Sequence, residues 1–268
     1  MNRTLFIVTF AFFLTLSSGY ENRYRRSALP SNSNRKWDKY QDADGKFVIP
    51  YVIGDNYTDS DRNLLVEQMG KIEKNTCVKF KPRNNEEDYA VIFNGLGDGC
   101  NSAVGRPGGK TTVYLESSPR GSCNSAVGRP GGKTTVYLES SPRGSCFKQR
   151  TLMRFLLHVV GIFGEQMRED RNKYIRVHRE NIQAGYEYGF ARILSSDAST
   201  YDLPYDYLSI THYPKDAYAK PGTITIETLD PTYQDLIGQV DEPSVYDYKK
   251  VCLMYKCGKC IGVETSSL

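Results

Sequence analysis

Apolar runs along the chain alternate with polar stretches and predict strands and helices in a mixed order. Phe47–Ile53 is a short, β-branched apolar run, which is most simply a buried strand. Two further short runs, Val78–Phe80 and Tyr89–Phe93, also predict strands. Leu152–Phe163 is apolar almost all round, as expected of a buried helix. Together with a helix over 60–77, these elements predict a mixed α/β sandwich.

The helix over 60–77 is predicted by its periodicity and by a polar residue at its start. Ser60 or Asp61 is the expected N-terminal cap, because a short oxygen-bearing side chain accepts a hydrogen bond from the first turn. The apolar residues of this segment recur at helical spacing on one face: Leu64, Leu65, Met69 and Ile72.

Residues 101–123 and 124–146 are identical. Two copies cannot stack the continuous core of a repeat protein. Each copy predicts a glycine-rich turn followed by a strand, which in the first copy are Gly105–Gly109 and Thr111–Leu115. A single sheet needs one of these strands, so the other is expected to extend a sheet edge or to loop out. The identity indicates a very recent duplication or an error in the gene model.

The first residues have the pattern of a secretory signal. Arg3 supplies a positive start, Leu5–Leu16 is an apolar run, and Ser17–Gly19 offers small residues for cleavage, which predicts a signal peptide over 1–19. The run is too short to span a bilayer. Residues 20–26 end in Arg-Tyr-Arg-Arg, which predicts a short pro-segment removed after Arg26; the alternative is a solvated basic tail.

Processing after Arg26 changes the charge and leaves one domain. Residues 1–26 carry four Arg and one Glu, so the formal net charge of +4 falls to +1. A nearly neutral chain has no basic field for nucleic acid or anionic lipid. The remaining residues suffice for one domain with a proper core. Seven Cys in an exported chain predict disulfides, and Asn56 opens a glycosylation sequon.

The candidate chemistry lies in residues 154–165, which read RFLLHVVGIFGE. A helix carrying His-Glu-x-x-His-x-x-Gly-x-x-His holds zinc with its three His, and the Glu serves as general base. The helix, His158 and a turning glycine are present here. Arg154 stands at the first His position, Phe155 at the Glu position and Gly164 at the third His position.

The flanking sequence resembles the astacin family of zinc metalloendopeptidases, and especially its tolloid branch. The matching segments follow one another in order over roughly residues 27–257: 48–53, 74–80, 104–109, 165–175, 179–190, 204–213, 237–239 and 253–257. Of these, 165–175 is similar to the family's continuation of the zinc motif, and Pro204–Tyr213 is similar to its Met-turn, with Thr211 in place of the Met. So many ordered motifs make an accidental match of 154–165 untenable.

The resemblance implies an α+β, two-lobed zincin (metzincin) fold. A twisted mixed sheet and two long helices would form the N-terminal lobe, and the C-terminal lobe would be irregular. The peptidase-like domain would occupy 27–257 and a tail 258–268. The resemblance also implies a disulfide between Cys77 and Cys257, and a second one from Cys100 to Cys123 or Cys146. Cys252 and Cys260 receive no partner from it.

The resemblance further implies a secreted, zinc-dependent endopeptidase that takes an extracellular protein or peptide in its cleft. Tyr213 occupies the position of a zinc-proximal Tyr. A freed N-terminus at Ser27 would dock near Glu165; the alternative for Glu165 is a solvated carboxylate. The oligomeric state is not predicted.

The residues at the catalytic positions contradict that activity. The guanidinium of Arg154 offers no lone pair to a metal, Phe155 accepts no proton, and Gly164 has no side chain. Besides His158, the chain has only His178 and His212. We therefore expect that zinc is not bound at the normal site and that the protein is an inactive homologue of these proteases. The alternatives are an active zinc endopeptidase with an improvised site, a non-enzymatic peptide-binding module, and a decaying gene product.

Arg154 itself has two possible placements. The first is that its guanidinium points into the former metal site, toward Tyr213 or a carboxylate. The second is that it extends along the protein to the surface.

Overall fold

The computed structural model describes residues 28–55, 57–94, 133–138, 140–141, 144–145, 147–193 and 198–265. The predicted signal peptide and pro-segment, Ser27, Asn56, the first copy of the repeat and Cys100, Cys123 and Cys146 lie outside these residues. The α-helices are α1 (Asp59–Asn75), α2 (Gln149–Val160) and α3 (Val245–Tyr255). The strands are β1 (Phe47–Ile53), β2 (Val78–Pro82), β3 (Tyr89–Phe93), β4 (Lys133–Tyr137), β5 (Ser140–Ser141), β6 (Gly144–Ser145), β7 (Ile175–Val177), β8 (Ile226–Thr228), β9 (Lys259–Cys260) and β10 (Val263–Glu264).

The main sheet has the strand order β2-β1-β3-β4, and its described strands all pair in parallel. Antiparallel pairing is found in separate two-stranded pairs, among them β7 with β8. The predicted strands β1 and β3 have the predicted bounds. Strand β4 comes from the second copy of the repeat and pairs with β3 from Lys133 opposite Tyr89. The sequence predicted a strand in each of the two copies, and the second copy supplies one to the main sheet.

Helix α1 begins earlier than predicted, because its cap is Thr58. The Thr58 hydroxyl accepts a hydrogen bond from the Asp61 backbone N–H, and the Asp61 carboxylate accepts one from the Thr58 N–H. This reciprocal pair satisfies two N–H groups that the first turn leaves free. The prediction of Ser60 or Asp61 as the cap was wrong, because Asp61 serves in the cap as its third helical residue.

Helix α2 is capped by Gly161, and its predicted bounds of 152–163 were shifted toward the C-terminus. Gly161 has φ of +129°, which a residue with a side chain rarely adopts, and its N–H bonds back to the carbonyls of Leu157 and His158. A Cβ at this position would lie 3.0 Å from Leu29 and 3.1 Å from Met254. The glycine thus ends the helix at a tightly packed point and lets the chain turn back.

The first hydrophobic core lies between α1, α2 and the main sheet. Most of α2 is buried in it, as predicted, and Trp37 is fully buried with its indole N–H donating to the Val159 carbonyl at 2.9 Å. The C-terminal α3 also packs into this core through Val251 and Met254. Helix α3, which comes late in the chain, thus completes the hydrophobic core of the N-terminal lobe.

A second, smaller core contains Ile175, Phe190, Tyr205 and Ile226 and holds together a region of short turns and the β7–β8 pair. Two cores with this distribution of elements confirm the α+β, two-lobed fold. Among the described residues, none of the helices combines the length and the apolar character that a membrane span requires.

Two disulfides involve cysteines near the C-terminal end of the described chain. Cys77 is bonded to Cys257, the pairing that the resemblance implied, and Cys252 is bonded to Cys260. The segment predicted as a tail over 258–268 is described to residue 265, and β9 and β10 form a hairpin there. Cys100 and its two predicted partners, Cys123 and Cys146, lie outside the described residues.

Candidate active site

Helix α2 exposes two residues, one turn apart, between the lobes. From residue 152 to residue 160, Arg154 and His158 are partly exposed and every other residue is buried. The His158 ring Nδ1 lies 2.7 Å from the Ile162 carbonyl oxygen and donates to it, which leaves the lone pair on Nε2. Burial and the charge of Arg154 lower the pKa of His158 to about 4. His158 is therefore neutral and oriented at ordinary pH, as a metal-binding His would be.

Arg154 turns inward to the segment 204–213, called here the Met-turn segment. Its Nε donates to the Ile210 carbonyl at 3.1 Å, and its Nη2 donates to the His212 carbonyl at 3.1 Å. The guanidinium carbon lies 5.9 Å from the centre of the Tyr213 ring. The alternative of an Arg that extends to the surface was wrong, since two backbone carbonyls hold this side chain inside the cleft.

Phe155 is part of the first hydrophobic core. Its side chain is 4% exposed, and its ring centre lies 6.1 Å from that of His158, roughly edge-on. The position at which the family has a general base thus contributes packing.

The space beside Gly164 is filled by Gln166. Gly164 has φ of −61° and ψ of 131°, which any residue adopts, but a Cβ there would lie 2.5 Å from the Gln166 side-chain nitrogen. The Gln166 amide bridges two backbone groups, the N–H of Tyr213 at 3.2 Å and the carbonyl of Gly189 at 3.4 Å. A neighbouring side chain therefore takes the room in which a third His would stand.

An aromatic group closes the C-terminal side of the cleft. Tyr213 and Tyr218 share a hydrogen bond between their hydroxyls, and burial raises the pKa of Tyr213. Phe190 packs edge-on against both rings, and Tyr186 stacks on Tyr218 at 4.4 Å. We call Arg154, His158, Tyr213 and Tyr218 the cleft site. Its phenols are protonated and able to donate hydrogen bonds at neutral pH.

Glu165 lies in a buried ion network beneath the cleft site, formed with Arg168, Asp206, Asp247 and Lys250. One Glu165 oxygen is 2.5 Å from the Lys250 ammonium, and the other is 3.2 Å from Arg168 and accepts from the Asp206 N–H. Burial by itself would raise the pKa of Glu165, but the charges of Lys250 and Arg168 outweigh it and hold that pKa below its usual range.

The solvated alternative for Glu165 was wrong, since the side chain is fully buried. The predicted docking of an N-terminus at Ser27 falls on a residue outside those described. The next residue, Ala28, is fully buried and pairs with Ile162, and the Leu29 N–H donates to the Gly161 carbonyl. The first described residues thus lie against the C-terminal end of α2, and Glu165 follows that end by a few positions in the sequence.

Asp247 joins helix α3 to the Met-turn segment. Its carboxylate accepts hydrogen bonds from the Ser209 hydroxyl at 2.6 Å and from the Ile210 N–H at 2.9 Å. Thr211 is fully buried with its hydroxyl 2.8 Å from that of Ser209.

Asp206 belongs to the same network. Its carboxylate accepts a hydrogen bond from the Ser244 hydroxyl, and burial raises the pKa of Asp206 to about 6. The carbonyls that hold Arg154 are themselves fixed from behind by this network.

The two other His residues do not complete a metal site. His212 is fully buried, with Nε2 2.8 Å from the Tyr205 hydroxyl and Nδ1 2.7 Å from the Tyr213 carbonyl. His178 lies near the surface against Glu227 and Glu180. Within the described ranges, no group of three or more His, Cys, Asp or Glu is placed to hold a metal ion. One neutral His beside a fixed guanidinium does not fit the three-ligand zinc site of the metzincin motif.

Several residues of this region were not predicted from the sequence. Gln166, Tyr218 and Lys250 belong to the site or its support, and Asp247 fixes the Met-turn segment. Lys250 is 85 positions from Glu165 in the chain. The one available signal was the spacing of Asp247 and Lys250, which places both on one face of a helix.

Comparison with known proteins identifies the relatives of this chain. A sequence model of the astacin family of peptidases matches residues 31–120 and 114–256, and its two parts overlap within the first copy of the repeat. The zinc metalloproteinase nas-5 of Caenorhabditis elegans is 41% identical over 236 residues, which are 88% of this chain and 59% of that protein. The low choriolytic enzyme of Oryzias latipes is 30% identical over 222 residues, which are 83% of this chain and 69% of that enzyme.

Longer proteins and one solved structure match as well. Human Tolloid-like protein 2 is 33% identical over 240 residues, and the match spans 88% of this chain but 20% of that protein. The structure of high choriolytic enzyme 1, a hatching enzyme zinc-protease from Oryzias latipes, superposes with a TM-score of 0.66 at 29% identity and covers 84% of this chain and 96% of that one. Family, relatives and fold agree with the ordered motifs of the sequence, and the chain belongs to the astacin family of zinc-dependent metalloproteases.

Proposed function

We propose that this chain is a secreted astacin-family protein that binds peptides in its cleft without hydrolysing them by the zinc route. The observation that carries the proposal is the placement of Arg154. Its guanidinium stands at the first ligand position and is held inside the cleft by the carbonyls of Ile210 and His212. A dication beside His158 would face this fixed positive charge, which opposes its binding.

The loss of the general base supports the same proposal independently of the metal. Hydrolysis in these proteases needs a group that removes a proton from the attacking water. Phe155 occupies that position and is buried in the core. The next carboxylate along the chain is that of Glu165, which is committed to Lys250 and Arg168. Activity would therefore need both a new metal site and a new base.

The binding part of the proposal rests on the buried ion network that supports the cleft site. In a decaying gene product, no selection would maintain the buried ion network, in which Lys250 pairs with Glu165 and Asp247. Breaking such a network is strongly destabilising, since each partner leaves a buried charge behind. A stable cleft with an oriented lining is what a peptide-binding module requires.

Zinc content and hydrolysis, measured on the purified protein, test the proposal. We expect a folded protein with substoichiometric zinc and no chelator-sensitive cleavage of a denatured protein substrate. Stoichiometric zinc together with cleavage that a chelator abolishes would establish the active alternative. A protein that stays misfolded in every preparation would favour decay. N-terminal sequencing of protein exported from cells tests secretion and processing, for which we expect a first residue at Ser27.

A further inference from the structure

The guanidinium of Arg154 is a cation without an acidic partner among the described residues. Two of its five N–H donors are used, by the carbonyls of Ile210 and His212. Asp247 contributes a favourable negative charge to its surroundings, but both Asp247 oxygens are already bound, to Ser209 and Ile210. The guanidinium of Arg154 therefore has no direct ion-pair partner within the described part of the protein.

A largely enclosed charge without an ion-pair partner is costly, and the arrival of an anion removes that cost. Arg154 and His158 are the residues on the inner part of α2 that keep partial exposure, so Arg154 can be approached from outside the core. The two bonds to carbonyls use Nε and one N–H of Nη2, which leaves both N–H groups of Nη1 and one of Nη2 for a ligand. Adjacent donors of this kind match the two oxygens of a carboxylate.

The neighbouring side chains suit the same ligand. Tyr213 lies under the guanidinium at 5.9 Å and is linked to Tyr218 by a hydrogen bond, which uses one of the two phenolic O–H groups as its donor. His158 Nε2 carries a lone pair and accepts a hydrogen bond, because Nδ1 donates to Ile162. The cleft site thus offers cationic donors for a carboxylate and one acceptor for an amide N–H next to it.

We propose that Arg154 anchors a carboxylate of the bound peptide in the space where the family holds zinc. The inference rests on the proposed function, because it assumes that a peptide occupies the cleft. The carboxylate comes either from the C-terminus of the peptide or from an Asp or Glu side chain. In both cases the replacement of a metal ligand by Arg154 converts a site for a cation into a site for an anion.

Calorimetric titration of the purified full-length protein with three small peptides tests the proposal. The probes are N-acetyl-trialanine with a free carboxylate, its C-terminal amide, and the amide of N-acetyl-Ala-Asp-Ala, all at one ionic strength and neutral pH. We expect at least one of the two carboxylate-bearing probes to bind about tenfold or more tightly than the neutral amide, as one charge-assisted hydrogen bond would give. Which of the two binds distinguishes a terminal from a side-chain carboxylate.

Variants at position 154 assign the effect to the guanidinium. Arg154→Met should remove the preference for the carboxylate, and Arg154→Lys should restore part of it, since an ammonium keeps the charge but not the fork. Arg150→Met is the matched control. Arg150 lies one turn earlier on α2, and its guanidinium is bound to the Gly238 carbonyl and Gln239. That variant loses the same charge and should keep the preference. Urea unfolding confirms that each variant is folded.

The outcomes separate this proposal from the proposed function. Equal binding of acid and amide probes, or a preference that persists in Arg154→Met, overturns the anchor and leaves peptide binding in place. Failure of all three probes to bind a folded, zinc-free protein overturns both the anchor and the peptide-binding part. Zinc-dependent hydrolysis by the unmodified protein overturns the proposed function itself.

Discussion

The cleft site and the buried ion network lie next to each other but differ in how completely their charged groups are partnered. In the cleft site, Arg154 and Gly164 stand where metal ligands belong, and Gln166 fills the room of one of them. In the network, every charged group has a partner: Glu165 binds Lys250 and Arg168, and Asp247 binds the Met-turn segment. We infer that the network supports the fold, whereas the metal-ligand positions carry other residues although both cores are formed.

The largest effect is expected from restoring the metal site. A variant with Arg154→His, Phe155→Glu and Gly164→His should bind one zinc per chain, with a binding free energy of about 10 kcal/mol. The physical reason is that His158 is already neutral and oriented, and that the support behind it is in place. Metal analysis after gel filtration checks the stoichiometry. Arg154→His alone, with two His, is the control and should not retain zinc. A folded triple variant without zinc would show that the network does not preserve ligand geometry.

Breaking the network should cost stability on a scale that changes in the cleft site do not reach. Lys250→Met leaves Glu165 with Arg168 alone, and we expect the free energy of unfolding to fall by about 3 to 5 kcal/mol. Lys249→Met is the control: this side chain is partly exposed, and its loss should cost less than about 1 kcal/mol. Urea unfolding of the disulfide-intact proteins measures both. Equal effects of the two substitutions would contradict the assignment of the network as the support of the fold.

Asp206 should give the network a dependence on pH. Burial raises the pKa of this carboxyl from 3.8 to about 6, so the folded state binds more protons than the unfolded state between those values. The contribution of Asp206 is therefore favourable below about pH 4 and is lost as the pH rises through about 6.

Asp206→Asn removes that dependence. Relative to the unmodified protein, the variant should gain about 2 kcal/mol of stability between pH 4 and pH 7. Unfolding of the variant and of the unmodified protein at a series of pH values measures the difference. A variant curve parallel to that of the unmodified protein would mean that Asp206 is not buried as a titrating group.

The smallest effect is expected at Gly164, a former ligand position that can be compared directly with the helix cap Gly161. Gly164→Ala should change stability by about 1 kcal/mol or less, because the backbone conformation suits alanine and the flexible end of Gln166 can move aside. Gly161→Ala should cost about 2 kcal/mol or more, since φ is +129° and Leu29 and Met254 crowd the added methyl group. Thermal unfolding of both variants measures the two changes in stability. A larger loss at Gly164 would show that the former ligand position has become a structural one.

The sequence predicted the framework well because local patterns and ordered motifs both point to it. The strands at 47–53 and 89–93 have the predicted bounds, and the Cys77–Cys257 bond implied by the resemblance is present. The start of α1 was misjudged because three neighbouring residues, Thr58, Ser60 and Asp61, can all act as caps. Which of them does so depends on where the chain enters the helix, and local propensity does not fix that point.

By itself, the sequence determined the family, the two-lobed fold and the absence of two ligand His and of the general base, since these depend on residue identity and order. Tertiary structure alone decided where Arg154 points, what fills the space at Gly164, and that Lys250 compensates Glu165. It also placed β4 in the second copy of the repeat, beside β3, since identical segments have identical propensities and local sequence does not choose between them. Side-chain direction and the choice among equivalent partners depend on contacts between distant residues, and no local pattern encodes them.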